Sequence, residues 1–197
     1  MANDKMELRK LRLQVQMSLD GYIAGPNGEM DWMVGPLDDE LLKYVSKITE
    51  SVDTILLGRK MTDVFISFWL DVMNKPDDPW NTFAKRMIEI PKVVFTKTLN
   101  KSEWINTDIA TGDLLEEISK IKSQNGRDVV VYGGASFDSS LIKEKLIDEF
   151  YMFINPVAIG NGMTIFNDLN EIQKYSLIES KVFESGIVLL RYEPKRS

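Results

Sequence analysis

The chain contains neither cysteine nor histidine in its 197 residues. The first absence excludes a thiol nucleophile, a disulfide framework and a zinc site of the Cys/His kind. The second excludes a Ser-His-Asp triad. Any proton transfer then falls to a carboxylate, a lysine, a tyrosine or water. Carboxylate-only metal sites stay open in principle, but no calcium-loop spacing occurs, and no metal is expected. Long apolar runs are also missing, none reaching the ~18 residues that span a bilayer. The polar start Met1-Ala-Asn-Asp-Lys-Met-Glu7 carries no signal-peptide pattern, so the cytoplasm is the expected compartment. Asn100-Lys101-Ser102 is a glycosylation sequon by letter and reads here as a surface turn. Basic charge is in deficit, with 24 Lys and Arg against 30 Asp and Glu, a net −6. Such a chain lacks the field that gathers nucleic acid or anionic membrane. Neither G-x-G-x-x-G nor the G-x-x-x-x-G-K-[ST] phosphate loop occurs.

What is present suffices for a real core, with 44% hydrophobic residues. The length suits one domain over residues 1–197. Leu11, Leu13, Val15 and Met17 alternate with Arg12, Gln14 and Gln16, a period of two that predicts a first strand. Residues 18–36 read as a loop rich in glycine, including Gly21, Gly25, Gly28 and Gly35. Asp38 is placed to cap a helix with apolar Leu41, Leu42, Val45 and Ile48. Further strands are expected over 53–58, 92–96, 104–108, 128–132 and 149–155. Further helices are expected over 59–68, 81–90, 113–123 and 137–145. Trp69 to Trp80, with Pro76 and Pro79, reads as irregular. Segments 175–182 and 187–192 form an expected hairpin around Ser185-Gly186. Alternating strands and helices in the first two thirds predict an α/β fold with a mostly parallel central sheet flanked by helices. The strand-rich last third adds an antiparallel C-terminal hairpin.

The segment Tyr132-Gly-Gly-Ala-Ser136 carries the strongest functional signal. A strand turning through two glycines into a helix exposes unpaired N–H groups and a positive dipole end, which suit a phosphate. A turn needed only for packing is the alternative. Three more segments follow strands: Ser18 to Ala24, Gly58-Arg59-Lys60 and Thr96-Lys97-Thr98. Ligand sites of α/β proteins form beyond the C-terminal ends of strands. Arg59, Lys60, Thr96 and Lys97 are candidates to grip a ribose 2′-phosphate, which would favour NADPH over NADH. Taken singly, Lys60 and Lys97 are ordinary solvated charges. Gly134-Ala-Ser136-Phe-Asp138 has the outline of a nucleophile elbow, but lacks its last glycine and any histidine to activate Ser136.

Together these motifs resemble the dihydrofolate-reductase-like superfamily, and most closely the reductase domain of the riboflavin-biosynthesis deaminase/reductase. The resemblance is carried by Met17 to Ala24, Asp31-Trp32, Leu57-Gly-Arg-Lys60, Phe68-Trp69, Val94 to Leu99, Val131 to Phe137, Leu146-Ile-Asp-Glu149 and Pro156 to Gly162 with Phe166. It implies a dihydrofolate-reductase-like fold, bound NADPH and a homodimer. It places cofactor contacts on Ala24, Gly58, Arg59, Lys60, Thr96, Lys97, Gly133, Gly134, Ala135 and Ser136. Relatives often have Thr-Tyr after Gly-Arg-x, whereas this chain has Met61-Thr62; Lys60 or Thr62 would then have to substitute.

The implied reaction is hydride transfer to C=N or C=O of a small pteridine-like or pyrimidine-like heterocycle. Asp20 and Asp31, with Glu29, are the candidate proton donors. Asp20-Gly21 is equally a turn pair. Trp32 is placed to stack on a flat substrate, or to serve as a core or interface aromatic. Trp69 and Trp80 flank a stretch that reads as a pocket cover or a dimer surface. Asp38, Asp39 and Glu40 resemble a folate-binding acid, or simply acidic residues at a helix start. The alternatives to a reductase are a non-catalytic nucleotide-binding protein with the same fold and a dimeric interaction module with no cofactor.

Overall fold

The computed structural model describes residues 8–33 and 38–195. The polar N-terminal segment and the Gly35-Pro36 end of the expected loop lie outside the described residues. In chain order the elements are β1 (Leu11–Met17), α1 (Asp39–Glu50), β2 (Val52–Gly58), α2 (Arg59–Met73), α3 (Asn81–Glu89), β3 (Lys92–Phe95) and β4 (Thr107–Ala110). They continue with α4 (Leu114–Lys122), β5 (Asp128–Val131), α5 (Ala135–Lys143), β6 (Glu149–Ile154), β7 (Tyr175–Val182) and β8 (Val188–Pro194). The strands form one eight-stranded sheet in the order β4-β3-β2-β5-β1-β6-β8-β7. β1 to β6 are mutually parallel, while β8 runs antiparallel to both β6 and β7. This is the expected α/β architecture with its antiparallel C-terminal hairpin.

Each face of the sheet carries its own core. Ile55, Leu57, Val94, Val130 and Phe153 face Leu41 and Val45 of α1, Phe65 of α2 and Met87 of α3. Leu11, Leu13, Leu56, Val129 and Val131 face Ile118 of α4 and Leu141 and Ile142 of α5. Strand residues buried on alternate sides explain why β2 and β5 read as continuous apolar runs. α1 begins where expected. The Asp38 carboxylate accepts from the Leu41 N–H at 2.7 Å and also from the Ser185 N–H at 2.9 Å, tying the helix to the hairpin turn. Glu40 pairs with Lys181 at 2.7 Å. These acids of the first helix hold the hairpin. The turn itself closes through Gly186, whose φ of 82° is one that glycine accepts readily.

Two boundaries differ most from expectation, while α5 begins two residues early, at Ala135. α2 runs through Trp69 to Met73 because Val72 continues the buried stripe of Phe65 and Ile66. Trp69 thus belongs to the helix, and Trp80 directly precedes α3. They pack on each other with ring centroids 6.3 Å apart and both meet Phe83, joining α2 to α3. The fourth strand spans Thr107–Ala110 rather than starting at Trp104, since pairing begins only where Lys92 aligns with Thr107.

The N-terminal end of the parallel strands is clamped by charge. Glu149 is almost fully buried at the start of β6. It meets Lys10 at 2.6 Å, Arg12 at 3.1 Å, Arg191 at 3.2 Å and the Tyr151 hydroxyl at 2.8 Å. Its neighbour Asp148 accepts from the Leu11 N–H at 2.8 Å and from Lys122 at 2.5 Å. Burial pushes the Glu149 pKa up, but the Lys10 and Tyr151 hydrogen bonds and the two guanidinium groups outweigh it, and the net shift is downward. A carboxyl whose folded pKa is depressed stabilises the fold above its unfolded value and loses that contribution as pH falls through the folded one. Acid unfolding monitored by circular dichroism should therefore steepen below the ordinary glutamate range. Glu149→Ala should destabilise by about 3–5 kcal/mol in chemical denaturation, because it strands buried cations.

Candidate active and cofactor site

The C-terminal ends of the parallel strands converge on one rim. Thr96 follows β3, Gly58 ends β2, Gly133 follows β5 and Ser18 follows β1; these are four consecutive strands of the sheet. All four segments singled out by the sequence therefore lie side by side.

At the centre of the rim two helices begin next to each other. The Gly58 N–H donates to the Gly133 carbonyl at 2.7 Å, so the turn entering α5 is fastened to the turn entering α2. α5 starts at Ala135, immediately after the Gly133–Gly134 peptide, which is cis. Gly133 sits at φ 98°, where a side chain would be strained. A Cβ at Gly58 would lie 2.9 Å from the Phe137 Cβ, and one at Gly134 would meet the Met61 Cβ at 3.5 Å. Neither α2 nor α5 has a side-chain cap, whereas Asp38 and Asp113 cap α1 and α4. Two uncapped helix N-termini on one rim fit the phosphates of a dinucleotide, whose oxygens would accept from the free N–H groups.

The flanking cations and hydroxyls are mostly engaged within the protein. Arg59 pairs with Asp63 at 2.8 Å and lies over the Trp104 ring at 5.1 Å; Trp104 donates its indole N–H to Asp63 at 2.9 Å. Asp63 is held below the usual aspartate range by the Arg59 and Trp104 hydrogen bonds. The guanidinium is thus fixed in plane at the start of α2. Lys97 donates to the carbonyls of Thr111 at 3.0 Å and Gly112 at 2.6 Å. Thr96 is buried, and its hydroxyl accepts from the Thr98 N–H at 3.1 Å, shaping the turn after β3. Lys60 is exposed at the head of α2. Thr62 cannot replace a phosphate-binding threonine: it is fully buried and its hydroxyl donates back to the Gly58 carbonyl at 3.1 Å.

The loop after β1 is tied down by the residue offered as an acid. Asp20 accepts from the Ser18 hydroxyl at 2.7 Å, the Gly160 N–H at 2.7 Å and the Ile159 N–H at 3.1 Å. Those bonds, led by Ser18, lower its pKa. It remains ionised and joins the loop to the segment after β6. Ala24 bridges Met163 antiparallel and reinforces the same junction. Glu29 accepts from the Asn27 backbone and side chain and closes its own turn. Asp31 is exposed beside half-buried Trp32, whose indole N–H donates to the Glu29 carbonyl at 3.1 Å.

One acid escaped the sequence reading. Asp138, in the first turn of α5, is 1% exposed, and its Oδ1 has no hydrogen-bond partner among the described residues. Its Oδ2 lies 3.0 Å from the point where Gly133 would carry a Cβ. Burial alone raises its pKa well above the ordinary value. A helix N-terminus favours the anion by at most about 2 kcal/mol. Burying an unpaired carboxylate costs several kcal/mol, so the neutral acid wins. The available signal was spacing: Asp138 occupies the same helical stripe as Leu141 and Ile142, an acid at a core position.

A parallel sheet with this strand order, carrying paired helix starts at its carboxyl rim, defines the dihydrofolate-reductase-like class. Residues 9–189 match the RibD C-terminal domain, and the chain belongs to that family. It is 33% identical over 192 residues to YyaP of Bacillus subtilis (strain 168), covering 96% of this chain and 97% of that one. A crystallised protein of Shewanella sp. PV-4, assigned to riboflavin biosynthesis, superposes with a TM-score of 0.72 at 23% identity, covering 95% of this chain and 99% of that one. Dihydrofolate reductase from Enterococcus faecalis, crystallised with NADP(H), superposes with a TM-score of 0.59 at 14% identity, covering 95% and 97%. These two likenesses establish a reductase-type fold.

The closeness of the two turns is directly testable. Gly58→Ala should push Phe137 and α5 away from β2 and cost about 1–3 kcal/mol, read as a lowered midpoint in thermal unfolding.

Proposed function

We propose that this chain is an NADPH-dependent reductase, acting as one domain on a small pteridine-like or pyrimidine-like heterocycle. The single observation that carries the reading is the pair of uncapped helix N-termini fastened by the Gly58–Gly133 hydrogen bond, with Arg59 beside them. Membership of the RibD C-terminal domain family supports it, as does the likeness to a fold crystallised with NADP(H). When bound, the nicotinamide would supply the hydride for C=N or C=O reduction.

The chain's own residues have separable tasks in this reading. Gly58, Gly133 and Gly134 let the two turns close on each other beside the cofactor, and the N–H groups of Ala135 and Ser136 hold its pyrophosphate. Arg59, set in plane by Asp63 and Trp104, holds the 2′-phosphate together with Lys60. Thr96 and Lys97 shape the wall behind it, their polar atoms already committed to the turn after β3 and to the 111–112 carbonyls. Asp20 positions the loop that carries Ala24, while Asp31 and Trp32 are left for the substrate. Asp20 is poorly suited to give up a proton, because it is held ionised.

The full chain should bind NADPH more tightly than NADH, read by quenching of tryptophan fluorescence. At 100 times its Kd the cofactor should stabilise the fold by about 2.7 kcal/mol. Arg59→Ala should weaken NADPH binding on the order of tenfold or more while leaving NADH nearly unaffected. Absence of any NADPH binding would overturn the reading. Binding without NADPH oxidation across a panel of pteridines and pyrimidines would leave a nucleotide-binding protein without chemistry.

We further propose a homodimer. β7 is an open sheet edge with Leu177, Ile178 and Val182 exposed. An outer strand with unpaired backbone groups is a template for a second strand, and the identical edge of another copy supplies one. Light scattering should give twice the chain mass, and Val182→Lys should shift it toward the monomer.

A further inference from the structure

We propose that Asp138 is the proton-holding residue of the rim: its carboxyl stays neutral while a dinucleotide occupies the two helix N-termini, so that cofactor and proton are bound together. The inference rests on the nucleotide-binding reading above and adds to it a residue and a linkage.

Three observations carry it. The Asp138 side chain is 1% exposed, with an Oδ1 that nothing in the described residues bonds. It lies within the first turn of α5, its N–H bonded to the Gly134 carbonyl at 3.0 Å, directly behind the N–H groups offered to phosphate. Its other oxygen approaches the α-carbon of Gly133 so closely that a Cβ there would sit 3.0 Å away. The acid is thus packed directly against the glycine turn on which the cofactor reading rests.

Charge decides the consequence. Among the described residues, no titratable or charged group facing Asp138 from the neighbouring strands or turns contributes to its proton affinity, which burial alone sets. Two cations of the rim are occupied elsewhere, Arg59 by Asp63 and Lys97 by the carbonyls of Thr111 and Gly112, and Lys60 is exposed to solvent. An ionised Asp138 would place an uncompensated negative charge in low dielectric behind the anion site, cancelling the helix dipole that the site depends on. A neutral Asp138 leaves that dipole free for phosphate. Linkage makes the effect reciprocal: the proton raises affinity for the dinucleotide, and the dinucleotide raises affinity for the proton by the same factor.

The test compares NADPH affinity of the full chain with that of Asp138→Asn, a neutral isostere, between about pH 5 and pH 9, a range that spans raised carboxyl values. Titration of the cofactor's own phosphate affects both proteins and cancels in the ratio of their Kd values. That ratio should be near one at low pH. It should climb by up to about tenfold per pH unit once Asp138 ionises, as one linked proton requires. A ratio independent of pH, with NADPH bound by both proteins, overturns the role of Asp138 and leaves the cofactor reading intact. Failure of the unsubstituted chain to bind NADPH at any pH overturns both readings, and failure of a folded Asp138→Asn alone overturns the role of Asp138. If Asp138→Asn does not fold, the unsubstituted chain decides alone. Its NADPH binding heat, measured in two buffers of different ionisation enthalpy, should reveal proton uptake that grows as pH rises toward the Asp138 midpoint. No uptake at any pH overturns the proposal.

Discussion

The parallel pairing of β2 with β5, extended into their turns by the Gly58–Gly133 hydrogen bond, is the constraint on which the candidate site depends. Parallel neighbours point their C-terminal ends the same way, so the helices that follow begin side by side. Close approach of the two turns then demands glycine. At Gly58 the obstacle is the Phe137 Cβ, and at Gly133 it is both the positive φ and the Asp138 carboxyl. The same closeness that joins the turns leaves their N–H groups pointing out of the sheet end.

The two ends of the sheet divide the labour. At the N-terminal ends, Glu149 is surrounded by Lys10, Arg12 and Arg191, and Arg9 pairs with Asp53. Charge there is internally matched and holds strands together. At the C-terminal ends the backbone supplies the positive field, and the side chains shape turns. Asp20, Thr96 and Lys97 each spend their polar atoms on loop geometry. A rim built this way presents preorganised N–H groups rather than flexible charged arms.

Much of the scaffold was legible. Alternating Leu11, Leu13, Val15 and Met17 announced β1, Asp38 announced α1, and Ser185-Gly186 announced the hairpin, because each signal is local in the chain. The Leu146 to Glu149 motif was visible too, but its task was not: Asp148 and Glu149 anchor the end of the sheet remote from the rim. α2 outruns its expected end at Phe68 because the break marked by Pro76 and Pro79 begins only after Met73. The Trp69 ring packs among Phe65, Trp80 and Phe83, and the last two lie beyond the end of α2, so only folding unites them with it.

The candidate site divides along the same line. Chain order alone determined which segments end strands, which glycines begin helices, and that no thiol or imidazole takes part. Those properties follow from composition and short-range periodicity. Only the tertiary structure decided how each polar group is used: that Asp20 fastens a loop, that Lys97 faces carbonyls, that Thr62 turns inward, and that Asp138 is buried with an Oδ1 that no described residue bonds. Whether an acid is charged depends on what surrounds it, and its surroundings come from residues far away in the chain, brought near by the packing of helices on the sheet.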